Sequence, residues 1–209
     1  MKKILSVFDM DKTITRIDCE MNFYKFLYKK KKIKKKDLAG FIKFHEGYKK
    51  NSFDSKKHLI FQNKVIKRRK LFKIKNTINY FIKRVIRKNL FDEVLKEIKK
   101  RKKVIISTSS NVFLAKKIIK KLFKVPFIST NINNKKKGLE ESNFGILKYV
   151  NLKRWMKKRN MSYDIEFFTD SITDLPLLKR SKYKILINPN MEFIKKTKNL
   201  KNVRMLFIK

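Results

Sequence analysis

An α/β fold follows from three features of the 209-residue sequence: a mostly parallel sheet with helices on both faces and an all-helical insertion. Six short apolar runs rich in β-branched residues read as buried strands. Helical periodicities fall between the later ones. The alternation breaks once, from about residue 16 to 88, where helical patterns occur and no convincing strand does.

The first run, Ile4–Phe8, follows a basic start, Met1-Lys2-Lys3, but lasts only five residues before meeting Asp9 and Asp11. A buried strand is therefore a better reading than a secretory leader. Residues 104–106, 125–128, 165–168, 184–187 and 203–208 supply the other strands. Ala115, Ile118, Ile119 and Leu122 repeat at helical spacing behind Ser109, Ser110 and Asn111, each a fit helix cap. Leu152, Trp155 and Met156 mark another helix, and Asp174-Leu175-Pro176 opens a short one with proline in its first turn.

Three helices are predicted in the insertion. One carries Met21, Tyr24, Leu27 and Tyr28. A second, after Asp54-Ser55, carries His58, Phe61, Val65 and Ile66. A third, after Asn76, carries Ile78, Phe81, Ile82, Val85 and Ile86. The expected organisation is a core of residues 1–15 and 89–209 with a cap, 16–88, that leaves the sheet just past Asp9 and Asp11 and so sits over the strand ends.

Composition excludes several classes. An apolar fraction of 42% with 18 phenylalanines suffices for a packed interior, which argues against a disordered basic tail despite 36% charged residues. The single cysteine, Cys19, rules out an internal disulfide framework. No apolar stretch is long enough for a membrane span, and cytoplasmic location is the default expectation. A formal charge of +41 would ordinarily point to nucleic acid or an anionic membrane. Lysine is spread over almost every segment, however, while alanine is confined to Ala39 and Ala115 and there are only four glycines and three prolines. A+T-rich codons give such a composition, and no specific nucleic-acid partner is expected. The densest run, 29–36, broken only by Ile33, reads as a solvated connection between helices.

The chemistry-bearing residues lie at strand ends, where ligands bind in parallel sheets. Asp9 and Asp11 close the first strand, and Asp170 and Asp174 follow another apolar strand at 165–168. Carboxylates so gathered repel one another unless a cation intervenes, and hard oxygen ligands suit magnesium. Ser107 ends the run 104–106 with a hydroxyl ahead of a helix, and Lys148 begins another helix behind Gly145. Each residue alone reads better as a turn, a cap or a solvated position. Their joint order on successive strand ends supplies what phosphoryl transfer requires: a nucleophilic carboxylate, a second carboxyl for proton transfer, and cations for the transferring charge.

This four-part pattern resembles the haloacid dehalogenase superfamily, and within it the subfamily IB phosphatases, over nearly the whole chain. Asp9-Met10-Asp11-Lys12-Thr13 matches the first motif, Ser107 the second, Lys148 the third, and Asp170 through Asp174 the fourth. The resemblance implies a Rossmannoid sheet with a helical C1 cap and a Mg2+-dependent phosphatase. Asp9 would be the nucleophile, and Asp11 the acid and then the base. Asp9, the Asp11 carbonyl and Asp170 would hold the metal, with Asp174 in support. Ser107, Lys148 and Thr13 would bind phosphate.

Lys12 departs from the family's usual small residue, where a side chain disfavours positive φ. Phosphoserine phosphatases typically carry a glycine pair after the second-motif serine and a glutamate in the cap's first turn. Here Thr108-Ser109-Ser110 and Asp18 occupy those places, so phosphoserine is not favoured. The expected substrate is a small soluble phosphorylated metabolite, such as the amino-acid precursor histidinol phosphate. Asp18, Glu46, Arg68 and Arg69 are the candidate substrate contacts from the cap. The alternatives are a phosphotransferase using the same aspartyl-phosphate, or a basic nucleic-acid-binding protein on this fold.

Overall fold

The computed structural model describes residues 3–49, 53–131 and 142–209, so Met1 and Lys2 of the basic start lie outside the described residues. Six strands among them form one parallel sheet: β1 (Ile4–Phe8), β2 (Val104–Asn111), β3 (Phe127–Thr130), β4 (Asp164–Thr169), β5 (Tyr183–Ile187) and β6 (Val203–Leu206), in the order β3-β2-β1-β4-β5-β6. Every predicted run forms its strand. Side chains alternate between the two faces, so Leu5, Val7, Ile105 and Phe167 pack in one cluster while Phe8, Ile106 and Phe168 pack in the other.

Helices α7 (Ile146–Lys157), α8 (Leu175–Lys179) and α9 (Met191–Thr197) bury Leu152, Leu177 and Phe193 on the first of these faces. Helices α5 (Asp92–Lys100) and α6 (Val112–Leu122) bury Val94, Leu114 and Ile118 on the other. Asn111 caps α6 by accepting from Leu114 N–H at 3.1 Å. Of the predicted cap choices, only the last is used.

Among the described residues between β1 and α5 the regular elements are helices: α1 (Cys19–Lys29), α2 (Lys35–Lys49), α3 (Ser55–Arg68) and α4 (Lys75–Phe81), the last running on through a π turn at Ile82–Ile86. Asp18 caps α1 and Asp54 caps α3. α4 starts behind Ile74 rather than behind Asn76, and its start has no side-chain cap. α2 was not legible as a helix. Gly40 lies in it because α3 packs there: a Cβ would fall 2.2 Å from the Phe61 ring. Phe41, also of α2, stacks on Tyr24 of α1 with centroids 3.4 Å apart. The outgoing and returning chains run side by side, with Arg16 N–H donating to Asn89 O at 2.7 Å and Phe91 N–H to Ile14 O at 3.0 Å.

Candidate active site

The strand order reverses at β1, whose neighbours are β2 on one side and β4 on the other. Chain leaving the carboxyl ends of β1 and β4 therefore borders the crevice where parallel sheets bind ligands. Phe8 is in register with Phe168, and Asp9 N–H donates to Phe168 O at 2.9 Å, so the segments holding Asp9 and Asp170 emerge side by side. A cavity of about 440 Å³ opens there, lined by Asp9, Asp11 and Asp170 and by residues of α1, α2 and α3.

Lys148 is 2% exposed, and its ammonium lies 2.8 Å from Asp9 Oδ1 and 2.8 and 2.7 Å from the two oxygens of Asp174. It reaches inward because α7 begins at Gly145, whose φ of 57° and ψ of −130° fall in a region open to glycine and to few other residues. Thr169 Oγ1 donates to Asp174 Oδ2 at 2.7 Å. Both Asp174 oxygens are thus engaged, which places Asp174 behind Lys148 rather than among free metal ligands. Among the described residues Asp9 Oδ2 has no hydrogen-bond partner.

Burial pushes the Asp9 carboxyl well above its ordinary range. Lys148 opposes this, and Asp174 and Asp170 reinforce it. Asp170 is raised to about 7 by burial and then by Asp174, against the Thr13 hydrogen bond and Lys12. Burial works against the charge of Lys148, but Asp174 and Asp9 outweigh it and hold the ammonium above the usual lysine range.

Asp11 has different surroundings. Its Oδ1 accepts from the first N–H of α1, that of Cys19, at 2.7 Å, and its Oδ2 accepts from Ser110 Oγ at 2.6 Å. Burial and then Asp18 raise it to about 6, while those two hydrogen bonds restrain the shift. The turn that carries it depends on Lys12, which adopts a left-handed φ of 56°. The side chain departs from the expected glycine, yet the backbone takes the conformation a glycine would.

Thr13 is fully buried and donates to Asp170 Oδ1 while accepting from Asp170 N–H, both at 3.0 Å. It fixes Asp170 and is not among the residues lining the cavity, contrary to the expected phosphate contact. Ser107 also departs from expectation. β2 continues past it to Asn111, and Ser107 is buried with its hydroxyl accepting from Asn143 Nδ2 at 3.0 Å. The hydroxyls that line the cavity from this strand are those of Ser109 and Ser110.

Of the four residues proposed from the insertion, Asp18 alone lines the cavity. Arg68 and Arg69 both pair with the buried Asp37, Arg69 Nε at 2.8 Å, and Glu46 is exposed away from the cavity lining. Glu20 was missed. Its Oε1 accepts from Asn111 Nδ2, from Gln62 Nε2 at 2.7 Å and from Tyr24 Oη at 3.4 Å. Burial, then Asp18 and Asp11, raise it to about 8. Both histidines of the chain, His45 and His58, line the same cavity.

No three His, Cys, Asp or Glu side chains among the described residues converge as a ready metal cluster. The acidic donors that line the cavity near the strand ends include the carboxylates of Asp9 and Asp170. One or two carboxylates, a carbonyl and waters are what a hard, partly hydrated cation takes, and the mutual repulsion of Asp9 and Asp170 calls for one.

The model of the haloacid dehalogenase-like hydrolase family matches residues 6–179, a span that contains every residue of this arrangement. No curated protein matches the sequence. Among solved structures, a protein of unknown function from Bordetella pertussis Tohama I superposes with a TM-score of 0.83 at 18% identity, covering 99% of each chain. A phospho-aspartyl intermediate analogue of phosphoserine phosphatase gives 0.60 at 17% identity over 97% of this chain and 93% of the other. A phosphoserine phosphohydrolase-like protein from Francisella tularensis subsp. tularensis SCHU S4 gives 0.58 at 15% identity over 98% and 95%. At these identities the likeness is one of fold.

Proposed function

The chain belongs to the haloacid dehalogenase-like hydrolases, and from that membership we propose that it is a magnesium-dependent phosphatase of the helical-capped IB type, working through an aspartyl-phosphate on Asp9. The observation that carries the reading is the division between the two carboxylates. Asp9 is paired with a buried cation and keeps one oxygen without a protein partner, whereas Asp11 is held by Cys19 N–H and Ser110 with its pKa raised to about 6. Burial opposes the ionisation of Asp9 while Lys148 favours it, so Asp9 is fitted to attack once a further cation joins Lys148, and Asp11 is fitted to carry a proton near neutral pH.

Asp9 Oδ2 attacks phosphorus, and the ester P–O bond breaks as Asp11 gives its proton to the departing oxygen, releasing an alcohol. Asp11, now a carboxylate, takes a proton from a water that attacks the phosphorus of the aspartyl-phosphate. The bond to Asp9 breaks, phosphate leaves, and both carboxyls return to their starting states. Lys148, fixed by Asp174, keeps Asp9 oriented and offsets charge on the transferring group. Magnesium held by Asp9, the Asp11 carbonyl and Asp170 would supply further charge neutralisation at the phosphoryl oxygens. Residues 16–88 serve in this reading as a cap that excludes water and selects the leaving group.

The membership, the fold shared with the phosphoserine phosphatase structures and the strand-end geometry support the reading. Purified protein is expected to hydrolyse p-nitrophenyl phosphate with magnesium and to lose that activity in EDTA. Absence of turnover with Mg2+, Mn2+ or Co2+ would remove the proposal.

A further inference from the structure

The wall that α1, α2 and α3 give to the cavity differs from its catalytic end in a way that selects a charge. Of the 26 described residues lining the cavity, six are aspartate or glutamate and Lys12 alone is a lysine or arginine. In the whole chain Lys and Arg number 58 against 17 acidic residues. Among the described residues the lining is thus acidic where the chain as a whole is basic.

Three of the six acids, Asp9, Asp11 and Asp170, belong to the catalytic end. Asp18 and Glu20 stand at the start of α1, whose first N–H bonds Asp11. Asp18 has both oxygens engaged, one by Met21 N–H at 2.8 Å and the other by His45 Nδ1 at 3.3 Å, so it contributes field rather than a free contact. Glu20 is different. Its three hydrogen bonds all fall on Oε1, and among the described residues Oε2 has none. No fully buried polar side-chain atom among the described residues lacks a partner, so Oε2 is open to the cavity.

The same cavity has an aromatic surface. Phe44 and Phe53 pack on His58 with centroids at 5.0 and 5.2 Å, and Phe53 meets Phe144 at 5.1 Å. Burial and then His45 lower His58 to about 4, which leaves it a neutral ring at physiological pH. Ring faces, together with a carboxyl that yields its proton when a positive charge comes near, attract an organic cation. A second anion on the substrate would instead meet Asp18, and would oppose ionisation of Glu20, with no described lysine or arginine on the wall formed by α1, α2 and α3 to answer it.

Within the phosphatase reading above, we infer that the alcohol carried by the phosphate is an organic ammonium without a carboxylate. The substrate class is phosphorylated amino alcohols, with the ammonium seated between Glu20 Oε2 and the aromatic wall. The repulsion from Asp18 and Asp11 that raises Glu20 is what such a cation would relieve.

Steady-state kinetics with matched esters tests this. O-Phosphoethanolamine is compared with propyl phosphate, and phosphocholine with 3,3-dimethylbutyl phosphate, each pair differing only in the ammonium, with p-nitrophenyl phosphate as a reference. At least one ammonium ester should exceed its neutral isostere in kcat/KM by about tenfold or more. Glu20→Gln should collapse that ratio, measured within the variant so that any general loss of activity cancels. Choline or ethanolamine should compete with p-nitrophenyl phosphate in the wild type more strongly than in the variant. Equal rates within both pairs, or a preference for phosphoserine over O-phosphoethanolamine, overturn the inference while turnover of p-nitrophenyl phosphate keeps the phosphatase reading. Loss of turnover with every ester overturns both.

Discussion

The Lys148 ammonium lies 2.8 Å from Asp9 Oδ1 while the two oxygens of Asp174 hold it from the other side at 2.7 and 2.8 Å. One buried cation thus answers two buried carboxylates, and removing it strands both. Lys148→Met should cost about 3–5 kcal/mol in urea unfolding at neutral pH, the usual penalty for breaking a buried pair by one partner. The loss should shrink toward pH 4, where Asp9, whose carboxyl burial already raises, takes up a proton and no longer needs a counter-charge. The double variant Lys148→Met/Asp174→Asn should be more stable at pH 7 than Lys148→Met alone. Equal losses at both pH values would show that shape, not charge, holds this cluster.

Glu20 predicts a pH dependence of stability. Its pKa is about 8 in the folded chain against an ordinary 4.5. Between those values the folded chain keeps a proton that the unfolded chain has lost, so stability falls as pH rises through that window. The contribution is complete below 4.5 and gone above 8. Glu20→Gln keeps an acceptor for Asn111 and Gln62 and has nothing to ionise. Thermal melts from pH 5 to 9 should show the variant gaining on the wild type as pH rises, by about 1 kcal/mol or more at pH 8. Parallel curves would contradict the buried environment described for Glu20.

The strands were legible because strands buried on both faces read as nearly continuous apolar runs, broken only by Ser6 in Ile4–Phe8 and by Glu166 in 165–168. The polar half of β2 was not. Ser107, Thr108, Ser110 and Asn111 look like loop residues, and they are buried only because Asn143, Asp11 and Glu20 arrive from elsewhere to bond them. α2 escaped notice because lysines crowd its start and two glycines, Gly40 and Gly47, interrupt it. Glu20 escaped for a simpler reason: an acidic residue in a helix's first turn reads as a partner of the helix dipole, and sequence does not say that it turns inward. The assignment of Arg68 and Arg69 to substrate failed because Asp37, thirty-odd residues away, claims both.

Lys12 gives a prediction opposite to the usual effect of introducing glycine. A left-handed backbone costs a residue with a side chain about 1–2 kcal/mol, and glycine forgoes about 0.5–1 kcal/mol through its freer unfolded chain. With φ at 56°, Lys12→Gly should therefore raise stability by about 0.5–1 kcal/mol in denaturant unfolding. Lys12→Ala, which keeps a Cβ at the same φ, should not. If both variants lose stability, the lysine makes a contribution at the cavity mouth that outweighs its backbone strain.

The roles proposed for Asp9 and Asp11 separate in one experiment. A single carboxyl cannot be ionised nucleophile and proton donor in the same step, so the two variants must fail differently. Asp9→Asn should abolish both turnover and phosphate trapping, because an amide oxygen is not a competent nucleophile. Asp11→Asn leaves Asp9 and its Lys148 contact in place, and the asparagine can still accept from Cys19 N–H and Ser110. An aryl phosphate needs no proton on its leaving group, so Asp9 should still be phosphorylated. The acyl phosphate should then persist for want of a base to activate water. Mixing Asp11→Asn with p-nitrophenyl phosphate and magnesium should give a burst of nitrophenol that does not exceed the enzyme concentration, followed by turnover slowed about a hundredfold or more. Mass spectrometry of acid-quenched protein should find 80 Da added to the peptide containing Asp9, the mass of one phosphoryl group replacing a proton. Phosphate on Ser107, Ser109 or Ser110 instead, or turnover retained by Asp9→Asn, would move the covalent chemistry off Asp9 and leave only the fold and the family membership standing.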